Sequence, residues 1–378
     1  TYTMSVAASG TITPSTITYQ WQISANGSTG WANVSSGTGG TSDTYTTIAN
    51  TATPPTPFIQ YYRAIVYQSP SGCSDTSRVI LVKWNPIPAV NSASTTKSCN
   101  GAEYNYAITS NVTGTTYTWT AEQHTGSTIT GFSSCASTCG TSIVQTLNNA
   151  TTSPGVVKYT IFPTGPAPTN CVGSPFILYD TVYPTPTVTA TPSAKLICSG
   201  SNSNITLTTP ITGATVTYSW TVTVSDSVTG ALAGSGSLIS QNLTNIGTSR
   251  KTVTYHITPA IGTCTGTPID VVVTVEPRGQ VNIESSLIYC NLDTIPINSF
   301  STNISDGTVT YAWSNNNTSI GLAANGTGSL PQFVASNSTT APISGTITVT
   351  PTYEFDTVTC TGTPINFTIT VNPSGFVQ

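Results

Sequence analysis

The hexapeptide Cys-Thr-Gly-Thr-Pro-Ile occupies residues 264–269 and returns unchanged at residues 360–365. A string that recurs at long range in a polar chain points first to duplicated structure. A second marker keeps the same interval. Tyr-x-Trp occurs at Tyr19/Trp21, Tyr117/Trp119, Tyr218/Trp220 and Tyr311/Trp313, with the tryptophans 98, 101 and 93 residues apart. The cysteine that opens the hexapeptide has counterparts at Cys73 ("CSDTSR") and Cys171 ("CVGSPF"), so the cysteine spacings are 98, 93 and 96. The two independent markers divide the chain into four tandem copies of one unit: residues 1–87 (short at its N-terminal end), 88–186, 187–278 and 279–373, with 374–378 entering a further copy.

Each unit reads as a series of short strands. Alternating runs such as "NITLTT" and "VTYHITP" suit pleated, half-buried sheet, and the 31 Gly and 25 Pro punctuate them. About seven strands in each ~95-residue unit predict an all-β protein of four immunoglobulin-like sandwiches in an elongated rod. Tyr and Trp two residues apart share a strand face, so Tyr19, Trp21, Tyr117, Trp119, Tyr218, Trp220, Tyr311 and Trp313 are expected in the inter-sheet cores rather than as a sugar-stacking platform. In the repeated hexapeptide, Gly266 and Gly362 are expected to supply a positive φ, and Pro268 and Pro364 to open the closing strand. The hexapeptide is therefore read as a structural joint.

Nine cysteines beside two histidines suggest disulfides and an oxidising compartment. The pairing expected within units is Cys99–Cys171, Cys198–Cys264 and Cys290–Cys360. A rival set links neighbouring units: Cys73–Cys99, Cys171–Cys198 and Cys264–Cys290. Under the first scheme Cys73 looks to a partner upstream of Thr1. Cys135 and Cys139 are expected to close a local loop, because a metal site needs about four ligands and only His124 is near in sequence.

Chemistry has little to work with. Charged residues make up 6% of the chain against roughly 25% in an ordinary soluble protein. No basic patch invites nucleic acid, and no apolar run is long enough to span a membrane. Neither His124 nor His256 has an acid and a nucleophile in a recognisable sequence setting, and the 13 acidic residues are scattered. Glu276 is the only acid at the joint between the third and fourth units, too few for a calcium cage. The expectation is a non-enzyme with no catalytic residue, no metal and no cofactor.

The fourth unit, "YAWSNNNTSIGLAANGTGSLPQFVASN" with "ITVTPTY" and "CTGTPINFTITVNP", resembles the PKD-like repeats of giant Bacteroidetes cell-surface adhesins, gliding-motility adhesins among them. The second and third units keep the Tyr-x-Trp, the strand ending in Pro and the Cys-x-Gly turn. The first, with "YQWQISANGSTGWANVSS" and "YYRAIV", resembles the companion Ig-like type. The resemblance implies export by the type IX pathway and O-glycosylation at Thr181, Ser227, Thr294 and Thr357. It also implies a role as a bacterial surface stalk that projects an adhesive region and bears force. Partners would be neighbouring repeats, laterally associated copies or a surface polysaccharide. A carbohydrate-binding array and a subunit of a polymeric filament are the alternatives. The linkers "NPIPAV" and "YPTPTV" are Pro-rich, which stiffens a joint, and "EPRGQV" is as short. Four sandwiches in line predict a length of very roughly 160 Å.

Overall fold

A computed structural model describes every residue except 10–15, 50–51, 53–54, 138, 283–284, 305 and 376–378. The described chain is built of β-strands, with a single turn of 3-10 helix at Thr318–Ile320. It divides into two compact units, Thr1–Pro184 and Thr185–Gln378.

The C-terminal unit holds the third and fourth repeats. The main sheet of the third is organised around a long central strand, Lys251–Ile261, whose Val253, Tyr255, Ile257, Pro259 and Ile261 are buried while the residues alternating with them face outward. β-branched and aromatic residues at period two make this the natural conformation. On one side the central strand pairs antiparallel with the strand carrying Tyr-x-Trp, Thr217–Val224. On the other it pairs antiparallel with the closing strand, Ile269–Glu276. The opening strand, Ala194–Cys198, lies parallel to the closing strand on its outer edge. The fourth repeat repeats this plan with Leu287–Cys290 parallel to Ile365–Asn372, then Ile343–Phe355, then Thr308–Asn315. Smaller sheets cover the other face of each core, among them Thr189–Thr191 with Ile205–Thr208 and Val281–Asn282 with Ser301–Thr302.

The N-terminal unit holds the first two repeats. In the second, Thr95–Cys99 runs parallel to Phe176–Tyr183, which pairs with Gly155–Thr164 and through it with Thr116–Gly126. In the first, Phe58–Ser69 pairs with Thr16–Ser24, with Cys73–Thr76 and with Ile80–Trp84. The protein is thus all-β, a series of tandem β-sandwich domains. A main hydrophobic cluster fills each repeat, spanning Met4–Val82, Tyr104–Val182, Ala190–Val275 and Val281–Val371.

The four tryptophans of the Tyr-x-Trp strands are buried at the centres of these clusters. Tyr117 and Tyr218 are buried beside them, and Tyr19 and Tyr311 are half-buried. The indole N–H of Trp21, Trp119 and Trp220 donates to the carbonyls of Ser42, Ser133 and Leu232. The ring of Trp220 covers Gly234, and that of Trp313 covers Gly326, where a Cβ would come within 2.8 Å of the Trp220 ring and collide with Trp313.

Gly266 and Gly362 correct the sequence expectation. Neither has a positive φ. Glycine is required there by close approach to the incoming linker. A Cβ on Gly362 would stand 2.6 Å from the Gly279 carbonyl oxygen, and one on Gly266 would overlap that of Pro186. The corresponding Gly173 packs in the same way on Pro88. The turn is a seat for the linker.

Candidate functional site

The opening strand ends on its cysteine at the exit end of the sandwich, where the closing strand finishes. Cys99 stands opposite Tyr183, Cys198 opposite Glu276 and Cys290 opposite Asn372. The hexapeptide cysteine lies at the entry end, on the hairpin between central and closing strands: Cys264 opposite Ile261 and Cys360 opposite Tyr353. Within one repeat the two are therefore separated by the length of the closing strand, about 25–35 Å at sheet rise. A disulfide requires Cα atoms within about 7 Å.

The structure accordingly joins successive repeats. Cys198 of the third bonds Cys360 of the fourth, with Cα atoms 5.6 Å apart. The expected pairs Cys198–Cys264 and Cys290–Cys360 are not formed. Cys99–Cys171 is not formed either, because Cys171 is a free, half-buried thiol. Cys73 and Cys290 are free and exposed. The rival set shares the fault, since Cys198 has Cys360 as its partner. Cys135 and Cys139 are bonded to each other within their loop.

A buried asparagine in each of the last three repeats fixes the exit end, and sequence reading passed over it. Asn149, Asn245 and Asn337 are 1–3% exposed. Each side-chain amide donates to a carbonyl four residues on, at Ser153, Ser249 and Ala341. Each also donates to the closing strand, at Val182, Val275 and Val371. Its backbone N–H is held by the residue after the cysteine: Asn100 Oδ1, Ser199 Oγ or Asn291 Oδ1. The spacings of 96 and 92 between these asparagines carry the same period as the Trp and Cys ladders.

Around the Cys198–Cys360 bond, the hairpin formed by Ile343–Phe355 and Val358–Thr361 reaches toward the third repeat. Tyr353, Phe355 and Cys360 are buried with Ile304, and Cys198 packs against them. Arg250 Nη2 lies 2.7 Å from Glu276 Oε1 of its own repeat and 2.7 Å from Asp356 Oδ2 at the hairpin tip. Both carboxylates hold the guanidinium pKa above its ordinary value, Asp356 more than Glu276. Glu276 is fully buried, and its Oε2 accepts no hydrogen bond among the described residues, so the carboxylate depends on Arg250.

The structure also assembles what the sequence scan had discounted. His256 Nδ1 is 2.7 Å from Asp270 Oδ1, and its Nε2 is 2.8 Å from Thr223 Oγ1. This is nucleophile–base–acid order, yet the three side chains stand on an outer strand face, with His256 38% and Asp270 61% exposed. Hydroxyl activation by imidazole needs oxyanion donors in a site sheltered from water, and a solvated sheet face gives no such shelter. His124 packs at a tilt against Tyr179, with ring centroids 4.8 Å apart. Among the described residues no three His, Cys, Asp or Glu side chains converge as a metal site.

The hydroxyls singled out for glycosylation sit in different settings. Thr294 and Thr357 are exposed. Ser227 is half-buried with φ +70°. Thr181 is half-buried in the closing strand, and its neighbour Asp180 points into the core, where it accepts hydrogen bonds from Thr96 and Ser98. Burial raises the Asp180 carboxyl pKa, and the two hydroxyls partly offset that rise.

Residues 96–186 and 195–279 each match the model of the PKD-like domain family. No curated protein matches the sequence. Among solved structures, the chain is similar to Drosophila N-cadherin EC1-4, with 11% identity, TM-score 0.25, and coverage of 94% of this chain and 92% of that one. It is likewise similar to the insect immune protein hemolin, with 12% identity, TM-score 0.26, and coverage of 97% and 93%. The three N-terminal domains of the bacteriophage RB49 outer capsid protein Hoc match with 11% identity, TM-score 0.33, and coverage of 73% and 93%.

Proposed function

We propose that this chain is a non-catalytic, load-bearing stretch of an extracellular bacterial surface adhesin, whose repeats hold an adhesive region away from the cell and transmit tension to it. The observation that carries this reading is the covalent bond between successive repeats, Cys198–Cys360. Such a bond persists in an oxidising compartment and is stripped by cytosolic thiols, which supports export. The bond lies outside the main core cluster of either sandwich, and it keeps the two from parting under load.

The strand plan supports the same reading. Opening and closing strands are parallel neighbours in three repeats. Tension applied through the two ends of such a repeat pulls these strands past each other, so their hydrogen bonds are loaded together rather than unzipped singly. The boundaries 1–87, 88–186, 187–278 and 279–373 are proposed as the mechanical units, and Thr294 and Thr357, being exposed, as the favoured glycan sites.

Single-molecule pulling between the chain's ends tests the proposal. In the absence of reductant the crosslink removes the 162-residue separation between Cys198 and Cys360 from the extensible length. Adding reductant should release a further length of about 550 Å at full extension. Release of that length without reductant would overturn the reading, as would repeats that unravel at forces no greater than those that straighten an unfolded chain.

A further inference from the structure

Three closing strands have a neighbour on each edge: Phe176–Tyr183, Ile269–Glu276 and Ile365–Asn372 each lie between a central strand and a parallel opening strand. The closing strand of the first repeat, Ile80–Trp84, pairs among the described residues only with Phe58–Ser69. Hollows lie along this incomplete edge. One, of about 380 Å³, is bounded by Tyr2, Met4, Arg78 and Ile80. The other, of about 410 Å³, lies at the strand's end between Lys83 and Asn85 on one side and Gly165 and Cys171 on the other. Leu81, midway along the strand, is 52% exposed.

The register says what belongs there. In the last three repeats the first residue of the central strand pairs with Val182, Val275 or Val371, and the opening-strand cysteine stands opposite the next residue along: Tyr183, Glu276 or Asn372. In the first repeat Phe58 pairs with Trp84, so the equivalent cysteine would stand opposite Asn85. Asn85 lines the hollow onto which Cys171 opens, and Cys171 is a free thiol. Its counterpart Cys360 is bonded to the opening-strand cysteine of the repeat before it.

We propose that the outer edge of Ile80–Trp84 seats an extended polypeptide strand that ends in a cysteine, laid parallel to it and bonded to Cys171. The occupant the geometry fits is a strand joined directly to the N-terminus of Thr1. In the second repeat only residues 100–102 separate the opening strand from Glu103–Ala107, and Tyr2 already lines the hollow where such a strand would run. Strand addition completes the ladder on an edge that otherwise invites promiscuous pairing. Forming the bond takes one proton and one electron from each thiol. A low-molecular-weight disulfide accepts both electrons and both protons and leaves as two thiols.

The test extends the full chain at its N-terminus with a copy of residues 95–102 and oxidises it with glutathione disulfide. Non-reducing peptide mapping should find the added cysteine joined to Cys171, with Cys73 still open to maleimide. A bond to Cys73 instead, or Cys171 labelled as fast as Cys73, overturns the proposal. A second variant carries serine at the added cysteine. The amides of Ile80–Trp84 should then exchange at least about tenfold more slowly than in the unextended chain, and unchanged exchange overturns the strand seat. Neither result depends on whether the protein bears load.

Discussion

At the scale of single residues, groups that neither strand pattern nor motif had marked hold the exit end in place. Asn245 donates to two carbonyls and accepts from the Gly247 N–H. Asn245→Ala leaves the buried Val275 carbonyl without that donor, and the third repeat should lose about 2–3 kcal/mol, read by hydrogen exchange in Ile269–Glu276. Arg250 makes one interaction that matters and one that matters little. Arg250→Met strands the buried Glu276 carboxylate and should cost about 3 kcal/mol. Asp356→Asn removes only the exposed partner and should cost less than about 1 kcal/mol. Equal losses in denaturant titration would show that the buried pair is not the dominant one. Asp180 gives a pH signature. Its folded-state pKa is raised, so the native state holds the proton more tightly than the unfolded chain does. The stability this lends is complete below the ordinary carboxylate pKa of about 3.9 and is lost as pH rises through the folded value. Asp180→Asn should therefore stabilise the second repeat at neutral pH and scarcely change it in acid. Parallel stability–pH curves for the two proteins would refute this.

At the scale of elements, the parallel opening strand decides the cysteine chemistry. Its cysteine is delivered to the exit end, while the Cys-x-Gly hairpin stands at the entry end. Alkylation of the native, non-reduced chain should modify Cys290 and spare Cys198, although the two occupy equivalent places in their repeats. Modification of Cys198 without reductant would contradict the bonded junction. The strands themselves were legible in sequence, because alternation of Val, Ile, Tyr and Thr specifies a half-buried strand locally. The tryptophans were legible as core for the same reason. The edge to which a five-residue opening strand docks, and in which direction, has no local signal. Intra-repeat pairing was a reasonable expectation without that fact and fails once it is known. The glycine of the hexapeptide was noticed but misread, since what it accommodates is a linker carbonyl from 80 residues earlier in the chain (Pro186 to Gly266).

At the scale of the whole molecule, a bond of sequence separation 162 restricts the unfolded chain strongly. The chain-entropy treatment gives about 5 kcal/mol for a loop of this size. Cys360→Ser should lower the denaturation midpoint of the third and fourth repeats and leave the first repeat unaffected. An unchanged midpoint would mean that packing of Phe355 and Tyr353 suffices at the junction. By itself, the order of residues determined the repeat, its period, the all-β character and the aromatic core, because each is written in patterns only a few residues long or in their simple recurrence. Only the tertiary structure decided which cysteines meet, which acid is buried beside Arg250, and which sheet edge stands unpaired. Those outcomes depend on which ends of two sandwiches face each other across a linker, a matter of distance in space between residues that nothing in their local sequence connects.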